Sequence, residues 1–393
     1  MTSSSLITHH SSLQFNALPP LSLYIHIPWC VRKCPYCDFN SHEARGELPE
    51  DDYVAALLAD LEAALPRVWG RPVFTVFIGG GTPSLLSVRA LDALLSGVRA
   101  RLPLAPDAEI TLEANPGTAE AGKFAGFRAA GINRLSLGIQ SFNDRHLAAL
   151  GRIHDATQAR RAAELALRTF DNVNLDLMYG LPGQTAAESD ADIAAAVALA
   201  PQHVSAYHLT IEPNTYFHRY PPALPDDDAT ADMQVAVEAQ LAAAGYEHYE
   251  TAAFARPGRH SRHNLNYWMF GDYVGIGAGA HGKLSFKNNI LRESRARQPK
   301  AYLTWAAAGA LLPEQREVTV AELPGEFMMN ALRLNAGFEL ALFASRTGLE
   351  STRILAALEQ AEARGLLSRD HQRVRPTPLG RRFLNDLVQL FLA

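Results

Sequence analysis

The residues most able to do chemistry in this 393-residue chain are its three cysteines, which lie close together near one end. Cys30, Cys34 and Cys37 form a Cys-x3-Cys-x2-Cys sequence, and the chain contains no other thiol. Three thiolates suit an iron–sulfur cube in which one iron keeps an open coordination position. The spacing therefore predicts a metal cluster at which a reaction can begin.

Two other interpretations of these cysteines have to be weighed. A structural zinc site needs a fourth ligand, for which His26 or His42 is available. A disulfide would leave one odd sulfur, and disulfide frameworks belong to small secreted chains. Residues 1–20 resemble neither a secretion signal nor a mitochondrial presequence, because they contain no Lys or Arg and no continuous apolar stretch. We favour the cluster, keep zinc as the alternative, and expect a cytoplasmic location.

Composition and charge exclude two classes of protein. The formal net charge is −5, and no long basic block occurs, so a nucleic-acid partner is not expected. No apolar run reaches the roughly 18 residues that a transmembrane helix needs. We therefore expect no membrane span, although contact with the surface of a membrane protein stays open.

The elements around the cysteines alternate between short apolar runs and longer helical stretches. The candidate strands are Leu21–Ile27, Val73–Ile78, Glu109–Glu113, Arg134–Ile139, Val173–Met178 and His203–Thr210. Strands that each lead into a helix predict an α/β fold with a parallel sheet and right-handed crossovers. Because two further units would be needed for a full barrel, we predict a partial (β/α)6 TIM-like barrel. The cysteine loop directly follows the first strand, so it lies on the rim where functional residues collect.

The domain organisation is predicted from changes in this pattern. Residues 1–20 are expected to be a flexible N-terminal segment, and residues 21–287 the barrel with its closing segment. Residues 288–321 are expected to be a linker, and residues 322–393 a small, mostly helical, winged-helix-like domain. Winged helices often bind DNA, but this one lacks a basic recognition surface, so protein contact is favoured.

Polar and glycine residues at other strand ends could complete a site around the cluster. An open iron can chelate the amino and carboxylate groups of a methionine derivative, and Gly79–Thr82 would let backbone approach such a ligand. The alternative for this segment is a tight turn with Ser84 as the helix N-cap. Asp176 interrupts an apolar strand, which is costly unless Arg152 or a ligand pairs with it. Tyr36 could lie against an adenine ring, or simply pack in its loop.

Taken together, these motifs resemble the radical S-adenosylmethionine superfamily, and within it the oxygen-independent coproporphyrinogen oxidase-like group. The resemblance runs from about Leu21 to near the C-terminus. The segments that carry it are Tyr24–Phe39, Gly80–Pro83, Gly131–Arg134, Gln140–Phe142, Tyr179–Gly183 and Glu326–Met328.

The resemblance implies specific roles for residues of this chain. It implies a [4Fe–4S] cluster on Cys30, Cys34 and Cys37. It also implies contacts with S-adenosylmethionine from residues on several strand ends, namely Tyr24, Gly80, Gly81, Thr82, Glu113, Gln140, Arg152 and Asp176. Tyr36 is added to this set as the candidate aromatic wall.

The group contains two functional classes, porphyrinogen dehydrogenases and heme chaperones. The resemblance implies a further cysteine two positions after the third ligand in dehydrogenases, where this chain has Phe39. Dehydrogenases also have a longer extension ahead of the cluster. The segment His263–Trp268 matches the His-Asn-x-x-Tyr-Trp motif of the chaperones, which implies that His263 is a heme ligand. A purely structural role is the alternative for His263, and His248, His260 and His281 are rival ligands.

We therefore expect a heme chaperone on a [4Fe–4S] and S-adenosylmethionine scaffold. Its partners would be heme and a heme-acceptor protein, with a membrane-bound respiratory enzyme and a homodimer as further expectations. The alternative is an oxygen-independent coproporphyrinogen III dehydrogenase, or another radical enzyme acting on a tetrapyrrole. The segment Gly275–Gly282 superficially resembles a dinucleotide fingerprint, but it lacks the accompanying strand–helix unit and acidic residue.

Overall fold

The strand that leads into the cysteine loop lies inside one large, mostly parallel sheet. The computed structural model describes residue 13 and residues 15–117 and 121–392. Successive barrel strands are hydrogen-bonded neighbours, in parallel pairing and in chain order. Their bounds are Leu21–Ile27, Val73–Gly80, Leu104–Ala114, Arg134–Gln140, Val173–Tyr179 and His203–His208. The predicted α/β partial barrel is confirmed.

Helices of the barrel follow the strands and cover the sheet, because both faces of parallel strands need apolar partners. Their bounds are Glu50–Val68, Val88–Arg101, Phe124–Ala130, Asp144–Ala149, Ala156–Thr169, Ala186–Leu199, Tyr216–Arg219 and Asp227–Ala243. One continuous apolar core joins six of these helices to the strands, all except the two short helices Asp144–Ala149 and Tyr216–Arg219. No helix within the described ranges combines the length and the apolar character that crossing a bilayer requires.

The sheet extends beyond the predicted strands at both edges. At one edge Asp272–Ile276 pairs in parallel with the first strand, and His281–Ser285, Ile290–Ser294 and Glu314–Glu317 follow in antiparallel order. At the other edge lie Ala253–Ala255 and Glu247–Glu250. Helix Arg262–Trp268 packs against the first two barrel strands, and helix Pro299–Ala307 packs against helix Glu50–Val68.

The structure differs from the predicted linker at residues 288–321. This segment contains Ile290–Ser294, Pro299–Ala307 and Glu314–Glu317, and both of its strands belong to the large sheet. The reason lies in its composition. All four residues of Glu314–Glu317 are exposed and polar, so the strand carries no apolar alternation by which the sequence could reveal it.

The C-terminal region combines short helices with a small antiparallel sheet, and its assignment as a winged-helix-like domain stays a prediction. Its helices are Leu323–Ala331, Leu340–Thr347, Leu355–Ala363, Pro378–Arg382 and Leu384–Gln389. Its strands are Phe338–Glu339, Leu367–Arg369 and Arg373–Pro376, with the last of these in the middle. A second apolar core fills the space between them.

The N-terminal segment, expected to be flexible, is held where the structure describes it. Residues 1–12 and 14 lie outside the described residues. Leu13 is only 4% exposed in the core of the C-terminal domain, and Phe15 packs against the same core. The backbone then reaches the sheet, where Arg71 Nη2 donates to the Pro19 carbonyl at 2.6 Å. The segment thus links the C-terminal domain to the barrel.

Leu13→Ala should destabilise the C-terminal domain, because it removes a buried side chain from a packed core. The expected loss is about 2–5 kcal/mol of unfolding free energy, measured by urea unfolding followed by circular dichroism. Leu18→Ala is the matched control, because Leu18 is 45% exposed, and it should change stability by no more than about 0.5 kcal/mol. Equal stability of both variants would contradict the packing of this segment.

Candidate cluster and cofactor site

The three cysteines lie on one loop at the carboxyl end of the first strand. Cys30 ends the short strand Trp29–Cys30, which pairs with His42–Glu43 and so closes the loop. The Cys37 amide donates to the Cys34 carbonyl at 3.2 Å, which turns the chain between these two thiols. All three are free and half-buried. Burial raises the pKa of the Cys30 and Cys37 thiols, so binding iron must displace their protons.

The cysteine loop packs directly against the glycine turn after the second strand. The Thr82 amide donates to the Trp29 carbonyl at 2.7 Å, and the Gly81 amide donates to the Ile27 carbonyl at 2.7 Å. A Cβ atom on Gly81 would lie 2.5 Å from the Trp29 carbonyl oxygen, so only glycine permits this approach. The glycine turn therefore does more than connect a strand to a helix. It lets the cysteine loop lie directly against the backbone of the turn.

These residues fit an iron–sulfur cube better than a single metal ion. Among the described residues, no three His, Cys, Asp or Glu side chains are arranged to hold one ion. A cube makes a different demand, because each thiolate binds its own iron at a separate corner. With three thiols available, the fourth iron stays open for a ligand. When bound, the cluster would supply the electron that cleaves a sulfonium bond.

A cavity of about 380 Å³ opens over the cysteine loop. The structure brings into this single cavity all three cysteines and eight of the nine residues predicted to contact S-adenosylmethionine. These eight are Tyr36, Gly80, Gly81, Thr82, Glu113, Gln140, Arg152 and Asp176. We call it the cluster cavity. Tyr36 also packs against Phe217, with ring centroids 6.5 Å apart.

Two carboxyl groups inside the barrel give the cluster cavity its acidic side. Desolvation, followed by the charge of Asp176, raises the pKa of Glu113 to about 8, and Glu113 Oε2 accepts from the Gly80 amide at 3.1 Å. Burial also raises the pKa of Asp176. Ser136 Oγ and Asn174 Nδ2 donate to the Asp176 carboxylate at 2.9 and 2.8 Å. The pair can receive a cationic ligand, whose charge would lower both pKa values.

Arg152 does not pair with Asp176, which was one of the two partners considered for that carboxylate. Its guanidinium donates to Asn115 Oδ1 at 2.5 Å and to the Gly138 carbonyl at 2.9 Å, and Nη1 lies 3.6 Å from Cys34 Sγ. Arg152 therefore places a positive charge beside a cluster ligand.

Gln140 reaches the cluster cavity through an unusual backbone conformation. Its φ is +67°, and the pairing of the fourth and fifth strands shifts register between Gly138 and Gln140. A non-glycine residue in the left-handed region costs about 1–3 kcal/mol and persists only when its surroundings hold it. The irregularity turns the Gln140 side chain toward the cavity at the end of its strand.

Tyr24 lines a second cavity of about 480 Å³ instead of the cluster cavity. Its hydroxyl lies 3.0 Å from His26 Nδ1. The second cavity is bounded by aromatic residues of the segment 267–273 and by the added edge of the sheet. Both cavities share Phe39, Gly80 and Glu113 in their linings. A ligand in one would therefore be a neighbour of a ligand in the other.

His263 is held on both sides of its imidazole ring. It is 1% exposed on helix Arg262–Trp268, with Nδ1 2.7 Å from Thr75 Oγ1 and Nε2 2.8 Å from the Tyr267 hydroxyl. Burial lowers its pKa to about 3, so the ring is neutral at pH 7. The assignment of His263 as a heme ligand stays a prediction, and it requires one of these hydrogen bonds to be given up.

Sequence reasoning missed several residues that line the two cavities. Asn115, Tyr207 and His208 lie in the cluster cavity. Their position at carboxyl ends of barrel strands was a usable signal. Arg292 and Arg297 lie in the second cavity, within the segment expected to be a linker, where no signal marked them.

The glycine-rich segment Gly275–Gly282 closes the barrel and is no dinucleotide site. It connects the parallel strand Asp272–Ile276 to the antiparallel strand His281–Ser285, with no helix between them. Gly277 has a φ of +103°, and a Cβ atom there would lie 2.4 Å from the His26 carbonyl oxygen. The turn therefore packs on the end of the first strand, directly before the cysteine loop.

Comparisons with known proteins agree with this geometry. The model of the Radical SAM superfamily matches residues 24–194, and that of the HemN C-terminal domain matches residues 318–383. The solved structure of coproporphyrinogen III oxidase (HemN) from Escherichia coli superposes with a TM-score of 0.80 at 24% identity. It covers 95% of this chain and 90% of its own, which shows a common fold.

Three relatives that match nearly the whole chain are named as heme chaperones. Heme chaperone HemW of Escherichia coli (strain K12) is 53% identical over 381 residues, covering 96% of this chain and 99% of its own. HemW of Mycobacterium tuberculosis (strain H37Rv) is 39% identical, covering 95% of each chain. HemW of Bacillus subtilis (strain 168) is 35% identical, covering 94% of this chain and 99% of its own. The chain therefore belongs to the HemW family of radical SAM proteins.

Proposed function

We propose that this protein binds heme and transfers it to acceptor proteins, on a scaffold that holds a [4Fe–4S] cluster and S-adenosylmethionine. The observation that carries the proposal is the 480 Å³ aromatic cavity that adjoins the cluster cavity. Its volume is within the range of about 300–1,000 Å³ that is typical of ligand pockets. The name heme chaperone HemW on relatives that match nearly the whole chain supports the same function.

Coproporphyrinogen III dehydrogenation is the alternative, and the cluster loop argues against it. Phe39 stands where the resemblance implies an additional cysteine in dehydrogenases, and its side chain is 61% exposed at the boundary of the two cavities. A phenyl ring can support a porphyrin face but cannot take part in thiol chemistry. Similarity to HemN at 24% identity concerns the fold and carries no activity.

The acceptor is proposed to be a heme protein, with a membrane-bound respiratory enzyme as the specific candidate. What supports protein contact is the C-terminal domain, where Leu379 and Phe383 are 45% and 51% exposed. Homodimer formation is a further proposal. A cytoplasmic location is supported by three free cysteines in a cluster loop, because a reducing compartment keeps such thiols available.

The reconstituted protein should bind heme and should not turn over coproporphyrinogen III. Both assays are run on one anaerobic sample with reductant and S-adenosylmethionine, following the Soret band and product formation by chromatography. Heme should then pass to an apo acceptor. Catalytic formation of protoporphyrinogen would instead establish the dehydrogenase, and absence of heme binding would remove the chaperone function.

Binding of S-adenosylmethionine should strengthen as pH rises toward about 8, because the Glu113 carboxylate favours a sulfonium cation. The pKa of Glu113 is raised from 4.5 to about 8. The protonated carboxyl therefore stabilises the folded, ligand-free protein at low pH, and this contribution to the free energy of unfolding is lost as pH rises through 8. Affinity should increase by up to about tenfold per pH unit below that value, measured by calorimetry on the reconstituted protein.

Glu113→Gln removes this titration and should flatten the pH profile. Glu47→Gln, at an exposed position in the same chain, is the matched control and should keep the slope of the unmodified protein. An unchanged slope in Glu113→Gln would show that another group titrates.

A further inference from the structure

A row of polar side chains crosses three barrel strands next to the cluster cavity. Strand register places Ser136 directly opposite Asn174, and Asn174 directly opposite His203. All three residues are buried, and His203 is only 1% exposed. Buried polar groups are costly unless they are hydrogen-bonded, so the partners of this row indicate what it does.

The Asn174 side-chain amide has all of its hydrogen-bonding positions filled. Its Nδ2 donates to Ser136 Oγ and to Asp176 Oδ1, both at 2.8 Å. Its Oδ1 accepts from Ser205 Oγ at 3.2 Å and lies 2.6 Å from His203 Nδ1. Because an amide offers two hydrogens and two lone pairs, the orientation of this side chain is fixed. A flipped amide would turn its oxygen toward the Asp176 carboxylate and repel it.

His203 can hold Asn174 in only one protonation state. Its Nδ1 faces an amide oxygen, which only accepts, so Nδ1 carries a proton and donates it to that hydrogen bond. Burial, followed by the charge of Arg134, lowers the pKa of His203 well below its ordinary value, so the ring is neutral. The unprotonated Nε2 therefore accepts from the Tyr249 hydroxyl at 2.8 Å. The Tyr249 oxygen in turn accepts from the Ser261 amide at 3.2 Å.

These hydrogen bonds form a relay in which every donor points in the same direction. Its members, in order, are Ser261, Tyr249, His203, Asn174 and Asp176. Hydrogen bonds in series polarise one another, so the last donor is strengthened by those behind it. Of these five described residues, Asp176 alone lines the cluster cavity. The relay therefore ends at the member that a ligand in the cavity can contact.

The Asp176 carboxylate keeps acceptor capacity for such a ligand. One oxygen accepts from Asn174 Nδ2, and the other accepts from Ser136 Oγ at 2.9 Å. A carboxylate has about four lone-pair positions, so these two hydrogen bonds leave others for hydrogen-bond donors of a ligand. The direction of the remaining positions depends on how the carboxylate is held, and Asn174 supplies one of its two supports.

We propose that His203 is a positioning residue for S-adenosylmethionine, which fixes the Asn174 amide and through it the Asp176 carboxylate in the orientation that receives the cofactor. This role rests on the part of the proposed function in which the scaffold holds S-adenosylmethionine. His203 does not touch the cofactor, and no proton or electron is transferred. An apolar side chain would fill the same space but would release the amide.

His203→Leu should weaken binding of S-adenosylmethionine by about tenfold or more, because Asn174 loses the donor that fixes it. Binding is measured by calorimetry on the cluster-reconstituted protein. His203→Asn should keep most of the affinity, since its Nδ2 can take the position of Nδ1 and donate to Asn174. His146→Leu is the matched control and should not change affinity. His146 is equally buried, on helix Asp144–Ala149, and lies outside the linings of both cavities.

A double-mutant cycle tests whether His203 acts through Asp176. Asp176→Asn alone should weaken binding, and adding His203→Leu should cost no further affinity, because the carboxylate that the relay orients is gone. Additive losses would assign His203 a general structural role and would overturn the positioning role. Tyr249→Phe keeps the aromatic ring and removes the donor to Nε2, so its loss of affinity should be smaller than that of His203→Leu.

The protonation state of His203 gives a readout that does not depend on cofactor binding or on the folding of a variant. NMR of nitrogen-labelled histidine side chains in the unmodified, reconstituted protein should show a neutral ring protonated at Nδ1. That signal should be absent from His203→Asn, which assigns it. A ring protonated at Nε2 in this position would overturn the relay.

The outcomes separate this role from the proposed function. Failure of the unmodified protein to bind S-adenosylmethionine would overturn both the scaffold part of the proposed function and the role of His203. Normal binding by the unmodified protein, with equal affinity in His203→Leu, would overturn the role of His203 alone.

Discussion

The arrangement of both cavities depends on the first strand, Leu21–Ile27, being paired in parallel on both sides. On one side it pairs with Val73–Gly80, which leads into the glycine turn. On the other side it pairs with Asp272–Ile276, which leads through Gly277 to His281. Because parallel neighbours end at the same edge of a sheet, the cysteine loop emerges between these two turns.

Close backbone contacts hold the cysteine loop in that position. The Trp29 carbonyl accepts from the Thr82 amide on one side. On the other side Asn40 Nδ2 donates to the Ala278 carbonyl at 3.0 Å. A side chain at Gly81 or Gly277 would collide with the loop backbone. The loop is therefore fixed by the two turns on either side of it, which also border the two cavities.

Glu113 gives the two cavities an electrostatic connection as well. It lines both, and its pKa of about 8 is set by desolvation and by Asp176. A cation bound on one side would ionise this carboxyl, and the negative charge would then face the other cavity.

Much of this organisation can be predicted from the sequence. The remaining elements could not be predicted, for physical reasons. Buried parallel strands carry continuous apolar runs, so the barrel strands and the cysteine loop at their rim are predictable. The strand Glu314–Glu317 is wholly exposed and polar, so nothing in it indicates a sheet. Leu13 is buried only because it packs into the core of the C-terminal domain, which is distant in the sequence, so its own neighbours do not indicate its role.

The site shows the same division between local and distant information. Asp176 stands out because it interrupts an apolar strand, yet its partners Ser136 and Asn174 are neutral groups, and Arg152 lies elsewhere. His263 stands out through its motif, but only the fold reveals that its Nδ1 is hydrogen-bonded to the Thr75 hydroxyl. His281 and Arg292 come together through strand register, which a single sequence does not display.

We propose that heme and the cluster occupy adjoining cavities, which share Phe39, Gly80 and Glu113 in their linings. The most direct test is a crystal structure of the reconstituted protein soaked or grown with heme. A porphyrin should appear in the second cavity, beside Tyr267, Trp268 and the strand His281–Ser285. A porphyrin bound on the C-terminal domain, or above the cysteines inside the cluster cavity, would contradict it.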